Sequence, residues 1–439
     1  MQPETYDFTF RNWGDSVHET PARYYRPTST DDVVEIVRDA GQAEAHVRVM
    51  GSGLSATAVA CPERDGWLLS LDRMNRVIEV DRIANRVRVQ AGIRLRDLND
   101  ILAHHGLALP ILGRIAEESL AGATATGTHG TGQGFGPLGS LVESLELVTA
   151  DNRRLALSRD DGDTFAAAVQ SVGVLGVITE LTLGVVPTFR LESRAESLPF
   201  DTVLARLDTL LADNDHVLLS YFPFVSKVRL SLQNRTNGPI RRGNGFRRWV
   251  SERLLGLYAT RLAVTLGEAF PEQIPRLNKL MSFFMPRRDR LVGRSDRVFQ
   301  APLSPPVGTM EYAVPADRAA EVLRAIRQLI EGEGLPVNAA VELRWMKADT
   351  ALLSAALGRD VCFVAARAVG RLVTDEYFPA FHRLMRQFEG HPHLGKLDLF
   401  DPGELLDILP GARRFEAVRR RLDPSGMFRS RYLDHLLGP

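Results

Sequence analysis

An apolar run, Val47-Arg-Val-Met50, ends in Gly51-Ser-Gly53, and a second loop, Gly127-Thr-His-Gly-Thr-Gly132, follows another apolar segment later in the same half of the chain. Glycine lets the backbone take positive φ and approach a ligand closely, and the N–H groups freed by such turns form a nest for phosphate oxygens. One loop of this kind carries little weight, because strand-to-helix turns need glycine whatever they bind. Two in one N-terminal half point to a dinucleotide with its pyrophosphate held from two sides. Thr126, Thr128 and Thr131 add hydroxyl donors to the second loop. Gly134-Phe-Gly-Pro-Leu-Gly139 also has G-x-G-x-x-G spacing, but no strand precedes it and Pro137 lies inside it, which removes the context of a Rossmann turn.

At 439 residues the chain is long enough for two or three domains. Lys plus Arg equals Asp plus Glu at 54 each, so the charge balance asks for no nucleic acid. Cys61 and Cys362 are too few for a disulfide framework or a cysteine zinc site. The polar, acidic start and the lack of an eighteen-residue apolar run suggest a cytoplasmic protein.

Residues 1–187 alternate short apolar strands with helices, as an α+β domain does. The strands are expected at Val47–Met50, Leu68–Leu71, Val77–Val80, Val87–Ala91, Leu145–Val148 and Val177–Val185, with helices at Asp31–Ala40 and Leu95–Ala103. From 188 to 390 longer strands (Val217–Val225, Val228–Gln233, Val337–Trp345) and a helix at Ala316–Gly332 suit a substrate domain. Residues 391–439 return to loops and one helix, Gly411–Arg421. The basic stretch Arg241–Arg253 and the segment Phe283-Phe-Met-Pro-Arg-Arg288 read as a solvated insertion or subunit contact, with peripheral membrane contact as the lesser alternative.

Glu342-Leu-Arg344 lies on an expected strand, so its acid and base share one face. Such a pair is most often a structural ion pair, but apolar Val341, Leu343 and Trp345 indicate a covered strand. His391-Pro-His-Leu-Gly-Lys396 is a second candidate. His129 has no second ligand at metal-binding spacing, so no metal is expected and a cofactor-packing histidine fits better.

In this order, Gly51-Ser-Gly-Leu-Ser55, Leu112-Gly-Arg-Ile115, Gly127-Thr-His-Gly130, Gly176-Val-Ile-Thr-Glu180, Glu342-x-Arg344, His391–Lys396 and Asp423-Pro…Tyr432-Leu433 resemble the FAD-linked aldonolactone oxidoreductases and alditol oxidases. These belong to the vanillyl-alcohol oxidase superfamily. The resemblance implies a two-subdomain FAD-binding domain, an α+β substrate cap and a C-terminal segment that returns to the FAD domain. It assigns the cofactor to Met50, Gly51, Ser52, Gly53, Leu54, Ser55, Ala56, Gly113, Ser119, Gly122, Thr126, Gly127, His129, Gly130, Ile178 and Lys396. Glu342, Arg344 and Lys396 match the family's catalytic residues, while Arg114, Val364 and His393 join Glu342 and Arg344 around the substrate.

Three departures from the family sharpen the expectation. Many members carry a histidine bonded covalently to the flavin where this chain has Leu54; leucine offers no nucleophile, so noncovalent FAD is expected. The plant galactonolactone dehydrogenases resist oxygen through an alanine that similarity places at Gly113, so glycine here implies an open path for O2. The sugar-alcohol oxidases have serine at Arg114 and threonine near Val364. A guanidinium in place of a hydroxyl suggests an acidic substrate. The expected reaction is oxidation of a carbinol in a polyol, lactone or sugar, with hydride passing to flavin N5 and O2 giving hydrogen peroxide. A dehydrogenase passing electrons to a quinone or cytochrome is the rival reading.

Overall fold

Three sheets organise the protein. The computed structural model describes residues 1–4, 8–241, 270–284, 288–301, 307–368 and 371–438. The first sheet is parallel, with Trp67–Ser70 between Arg23–Tyr25 and Val47–Met50. Helix Thr30–Gln42 connects two of these strands and packs on the second sheet. Ser29 caps it, accepting from the Asp32 N–H while the Asp32 carboxylate returns to the Ser29 N–H. Its buried face, Val33, Ile36, Val37 and Ala40, follows the helical repeat. Each of the three larger side chains contributes roughly 1.5–3 kcal/mol of burial, more than the cap's ~1 kcal/mol, so packing is the main support of this helix.

The second sheet is antiparallel and five-stranded, in the order Arg154–Ser158, Val142–Val148, Val177–Gly184, Arg86–Gln90, Val77–Asp81. The last two form a hairpin, and Asn85 takes a positive φ of 54° at its turn.

The third sheet has eight antiparallel strands within residues 190–392. Its order is Arg288–Arg294, Arg190–Pro199, Lys227–Thr236, His216–Tyr221, Val341–Met346, Val361–Ala368, Gly308–Pro315, His391–Pro392. Helix Ala319–Arg327 packs on helix Arg371–Gln387, and the second packs on strands Val361–Ala368 and Gly308–Pro315. Every residue of Val341–Met346 is buried, because the strand is covered on both faces. The strand expected at Val217–Val225 stops at Tyr221, where Phe224 turns with φ 65°. The helix expected across Ala316–Gly332 is a tight turn, an α-helix and a wide final turn in series.

The C-terminal segment crosses back after its edge strand. The Gly395 carbonyl accepts from the Ala56 N–H and the Ser55 hydroxyl, Met427 O accepts from the Val47 N–H, and helix Ala412–Leu422 packs on helix Asp163–Val169. Arg48 fastens this return: its buried guanidinium donates to the carbonyls of Val59, Val172, Gly173 and Phe428. Among the described residues no helix is long and apolar enough to cross a membrane. Residues 242–269 and 285–287, most of the basic stretch considered for membrane contact, lie outside the described residues.

Candidate active site

A cleft of about 1700 Å³, counted out to its open rim, runs from the glycine loops to the cap sheet. Backbone and small side chains line one end: Gly51 to Ser55, Ser119, Gly122, Ser171 to Gly173 and Ile178. The strand before Gly51 leads into irregular backbone instead of the helix that usually follows such a turn. Gly53 has φ +65°, and a Cβ on Gly51 would lie 2.0 Å from Ser119 Oγ, so only glycine allows this approach. Ser52 Oγ donates to Glu117 O at 2.6 Å and fixes the loop against the segment carrying Arg114 and Glu118.

Charge gathers at the other end. Cross-strand register sets Glu342 opposite Ala365 and Ala365 opposite Glu311, with Arg344 opposite Phe363. Glu342 Oε1 accepts from Arg114 Nη1 at 3.0 Å and Arg367 Nη1 at 3.1 Å, while Oε2 accepts from Arg367 Nη2 at 3.1 Å and Arg344 Nη2 at 2.5 Å. Burial opposes ionisation of Glu342, but the guanidiniums of Arg367, Arg344 and Arg114 outweigh it and hold the carboxyl far below its usual range. The reverse pull keeps Arg344 charged: burial disfavours its cation, and Glu342 and Glu311 more than restore it.

Glu311 is buried, 3.2 Å from His129 Nε2, and the His129 ring stacks on Phe363 with centroids 3.6 Å apart. Burial would raise the Glu311 carboxyl, yet His129 and Arg344 hold it well below the ordinary value. His393 Nδ1 accepts from the Gly395 N–H at 3.0 Å, and burial pushes the ring down to about 3, leaving it neutral. His129, Glu311 and His393 place ligand-capable atoms within 4.8 Å of one another, a proximity the sequence spacing did not reveal. Glu118 behaves in the opposite way to Glu342. Burial raises it to about 7, against the opposing influence of Lys396 and Thr128, and its Oε2 has no hydrogen-bond partner among the described residues.

Most of the sequence-derived residues line this one cleft: Gly51, Ser52, Gly53, Leu54, Ser55, Gly113, Arg114, Ser119, Gly122, Thr126, His129, Ile178, Arg344, His393 and Lys396. Six do not, and for Val364 the sheet register corrects the expectation. Val364 pairs with Leu343 on the opposite face of the sheet and belongs to the apolar core, so it does not face substrate. A Cβ on Gly127, where φ is +81°, would lie 2.8 Å from Gln170 Nε2, and one on Gly130 would lie 2.4 Å from Leu112 O. The missing side chains of these two glycines are used for close packing. Met50 and Ala56 flank that loop without lining the cleft, and Glu342 sits behind its arginines. Arg367, Glu118 and Glu311 were missed. Arg367 and Glu311 carried the cue that picked out Glu342, a charge within an apolar strand; Glu118 carried none.

The residues present fit FAD. A long cleft joins a neutral backbone nest, suited to a pyrophosphate, to cations suited to an electron-rich ring, and Arg344 Nε is buried there without a hydrogen-bond partner among the described residues. Comparison with known proteins agrees. Residues 181–436 match the D-arabinono-1,4-lactone oxidase family and residues 21–158 the FAD binding domain family. The chain is 34% identical to an L-gulono-1,4-lactone dehydrogenase of Mycobacterium tuberculosis over 98% of this chain and 99% of that one. It is 31% identical to an alditol oxidase of a Streptomyces species over 97% and 98%. A solvent-stable cholesterol oxidase superposes with a TM-score of 0.82 at 19% identity, covering 99% of this chain and all of that one, which shows a shared fold.

Proposed function

The chain belongs to the aldonolactone oxidoreductase family of FAD-dependent enzymes acting on CH–OH groups, and on that premise we propose that it is an oxidase of a sugar-like polyol or lactone. The observation that carries this reading is the meeting of Arg344, Arg367, Lys396 and Glu118 at one end of a cleft whose other end is a backbone nest. FAD, when bound, supplies the hydride acceptor for the carbinol C–H. It is held noncovalently, because Leu54 offers no nucleophile where the first loop meets the cleft.

Arg344 and Lys396 stabilise the negative charge that develops on the substrate oxygen. Glu342 is not the proton acceptor in this reading. Held ionised by three guanidiniums, it is a weak base, and it acts as a positioning residue for Arg344 and Arg367. Glu118 is better suited to accept the proton, because it lines the cleft and burial raises its carboxyl to about 7, near neutrality, where a general base works best. The hydroxyl proton passes to a Glu118 oxygen while the hydride leaves from carbon.

Oxygen as acceptor rests on Gly113. A Cβ there would lie 2.7 Å from Thr128 Cγ2 and 3.6 Å from Glu118 Oε2, so a side chain would narrow the cleft beside its charged end. Gly113→Ala, combined with Thr128→Ser to remove the clashing methyl, should lower the ratio of turnover with O2 to turnover with a dye acceptor. The mycobacterial relative's name supports the second reading, a dehydrogenase. A wild-type enzyme that turns over with dye and hardly with O2 would decide for it.

A further inference from the structure

We propose that Arg114 and Arg367 form an anion subsite at the mouth of the cleft, so that the substrate is a sugar-like acid bearing a carboxylate or phosphate away from the oxidised carbon. This inference rests on the reading of the cleft as a flavoenzyme active site. The two arginines come from opposite sides: Arg114 from the loop after Leu112-Gly113, Arg367 from cap strand Val361–Ala368. Their side chains retain 41% and 31% exposure, while Glu342 and Arg344 beneath them retain 7% and 10%. Both donate to Glu342 Oε1, which sets the two guanidiniums side by side.

Two carboxylates, Glu342 and the Glu311 that faces Arg344, meet three guanidiniums and leave one cation unbalanced. Arg367 already pairs with Glu342 in bidentate fashion, the geometry that satisfies a buried carboxylate with a single arginine. Arg114 spends only Nη1 on Glu342, and no other bond of its guanidinium is present among the described residues. Like-charge crowding leaves a mark. Glu342 favours the Arg114 cation, yet burial and the neighbouring Arg344 and Arg367 bring its pKa below the ordinary value. An added anion would relieve that crowding and take the unused fork of Arg114, whereas a neutral polyol would leave the excess charge in place. Glu342 thus acts as a shared counter-ion that aims both arginines at a ligand.

The test uses purified flavin-containing enzyme and ligands matched in size: glucitol, gluconate and glucitol 6-phosphate. Binding is read as the perturbation of the flavin absorbance. Both anions should bind at least roughly tenfold more tightly than glucitol, about the worth of one charge-assisted bond. The stronger of the two identifies the natural group as carboxylate or phosphate. Arg114→Ser and Arg367→Gln should each reduce the anion-to-neutral ratio roughly tenfold, and Arg114→Lys should keep part of the preference. The proposal is overturned if glucitol binds as well as the anions, or if the variants weaken all three ligands equally, since the arginines would then only neutralise Glu342. A protein that holds no flavin defeats the flavoenzyme reading instead; calorimetric titration with the same three ligands then still scores the subsite.

Discussion

The two ends of the cleft recognise by different physics. At the nest end, selection comes from backbone shape: Gly51 admits Ser119, Gly53 turns with positive φ, and Ser52 ties the loop down. No side-chain charge is needed there beyond the buried Arg48, which is spent on carbonyls. At the cap end, Arg114, Glu118, His129, Glu311, Glu342, Arg344, Arg367 and Lys396 meet from segments far apart in the chain. In the proposed function, shape decides what binds among the glycines and electrostatics decides what reacts among the charged groups.

Substitutions can break that contrast. The largest effect is expected at the charged end. Lys396→Met should lower turnover per bound flavin by about 10²–10³, the usual loss when one pre-organised charge is removed. Full turnover, followed by dye reduction, would remove Lys396 from the chemistry.

Glu118→Gln comes next. Burial raises the Glu118 carboxyl from an ordinary 4.5 to about 7, so between those values the native protein keeps a proton that the unfolded chain has released. Its contribution is therefore complete below about pH 4 and is lost as pH rises through 7, by up to about 3 kcal/mol. Asp349, raised to about 7 by burial, slopes the same way, so the readout is the difference between proteins. Melting temperatures at pH 5 and pH 7.5 should diverge less in Glu118→Gln than in the wild type. Equal slopes would mean that Glu118 is ionised throughout.

The smallest effect belongs to the nest. Gly51→Ala should weaken FAD roughly tenfold, or about 1.4 kcal/mol, by overpacking against Ser119, and Ser119→Gly should recover most of the loss. A loss that Ser119→Gly leaves in place would mean that the loop does not work through this contact.

The same contrast explains what could be read from the sequence. The nest was legible because Gly51 and Gly53 are neighbours and their role is local. Glu342 and Arg344 were legible as a pair because the two-residue period of a strand sets them on one face. Their partners were not, because nothing in Val361–Ala368 or Gly308–Pro315 announces which residue they will stand opposite. Val364 shows the cost of a one-residue error: strand alternation turns it to the core with Leu343 and gives the cleft face to Ala365 and Arg367. Gly127 and Gly130 have the composition of a phosphate loop, yet the fold uses their missing Cβ for close packing. The fold class was readable throughout the N-terminal half from the alternation of short apolar strands with helices.

The most direct measurement is the absorbance spectrum of the purified protein before and after acid precipitation. A cleft that holds FAD by backbone shape at one end and charge at the other, with leucine at position 54, should release all of its flavin colour into the supernatant. Colour retained in the pellet would show a covalent bond from another side chain. A colourless protein that added FAD does not reconstitute would contradict the assignment of the cleft itself.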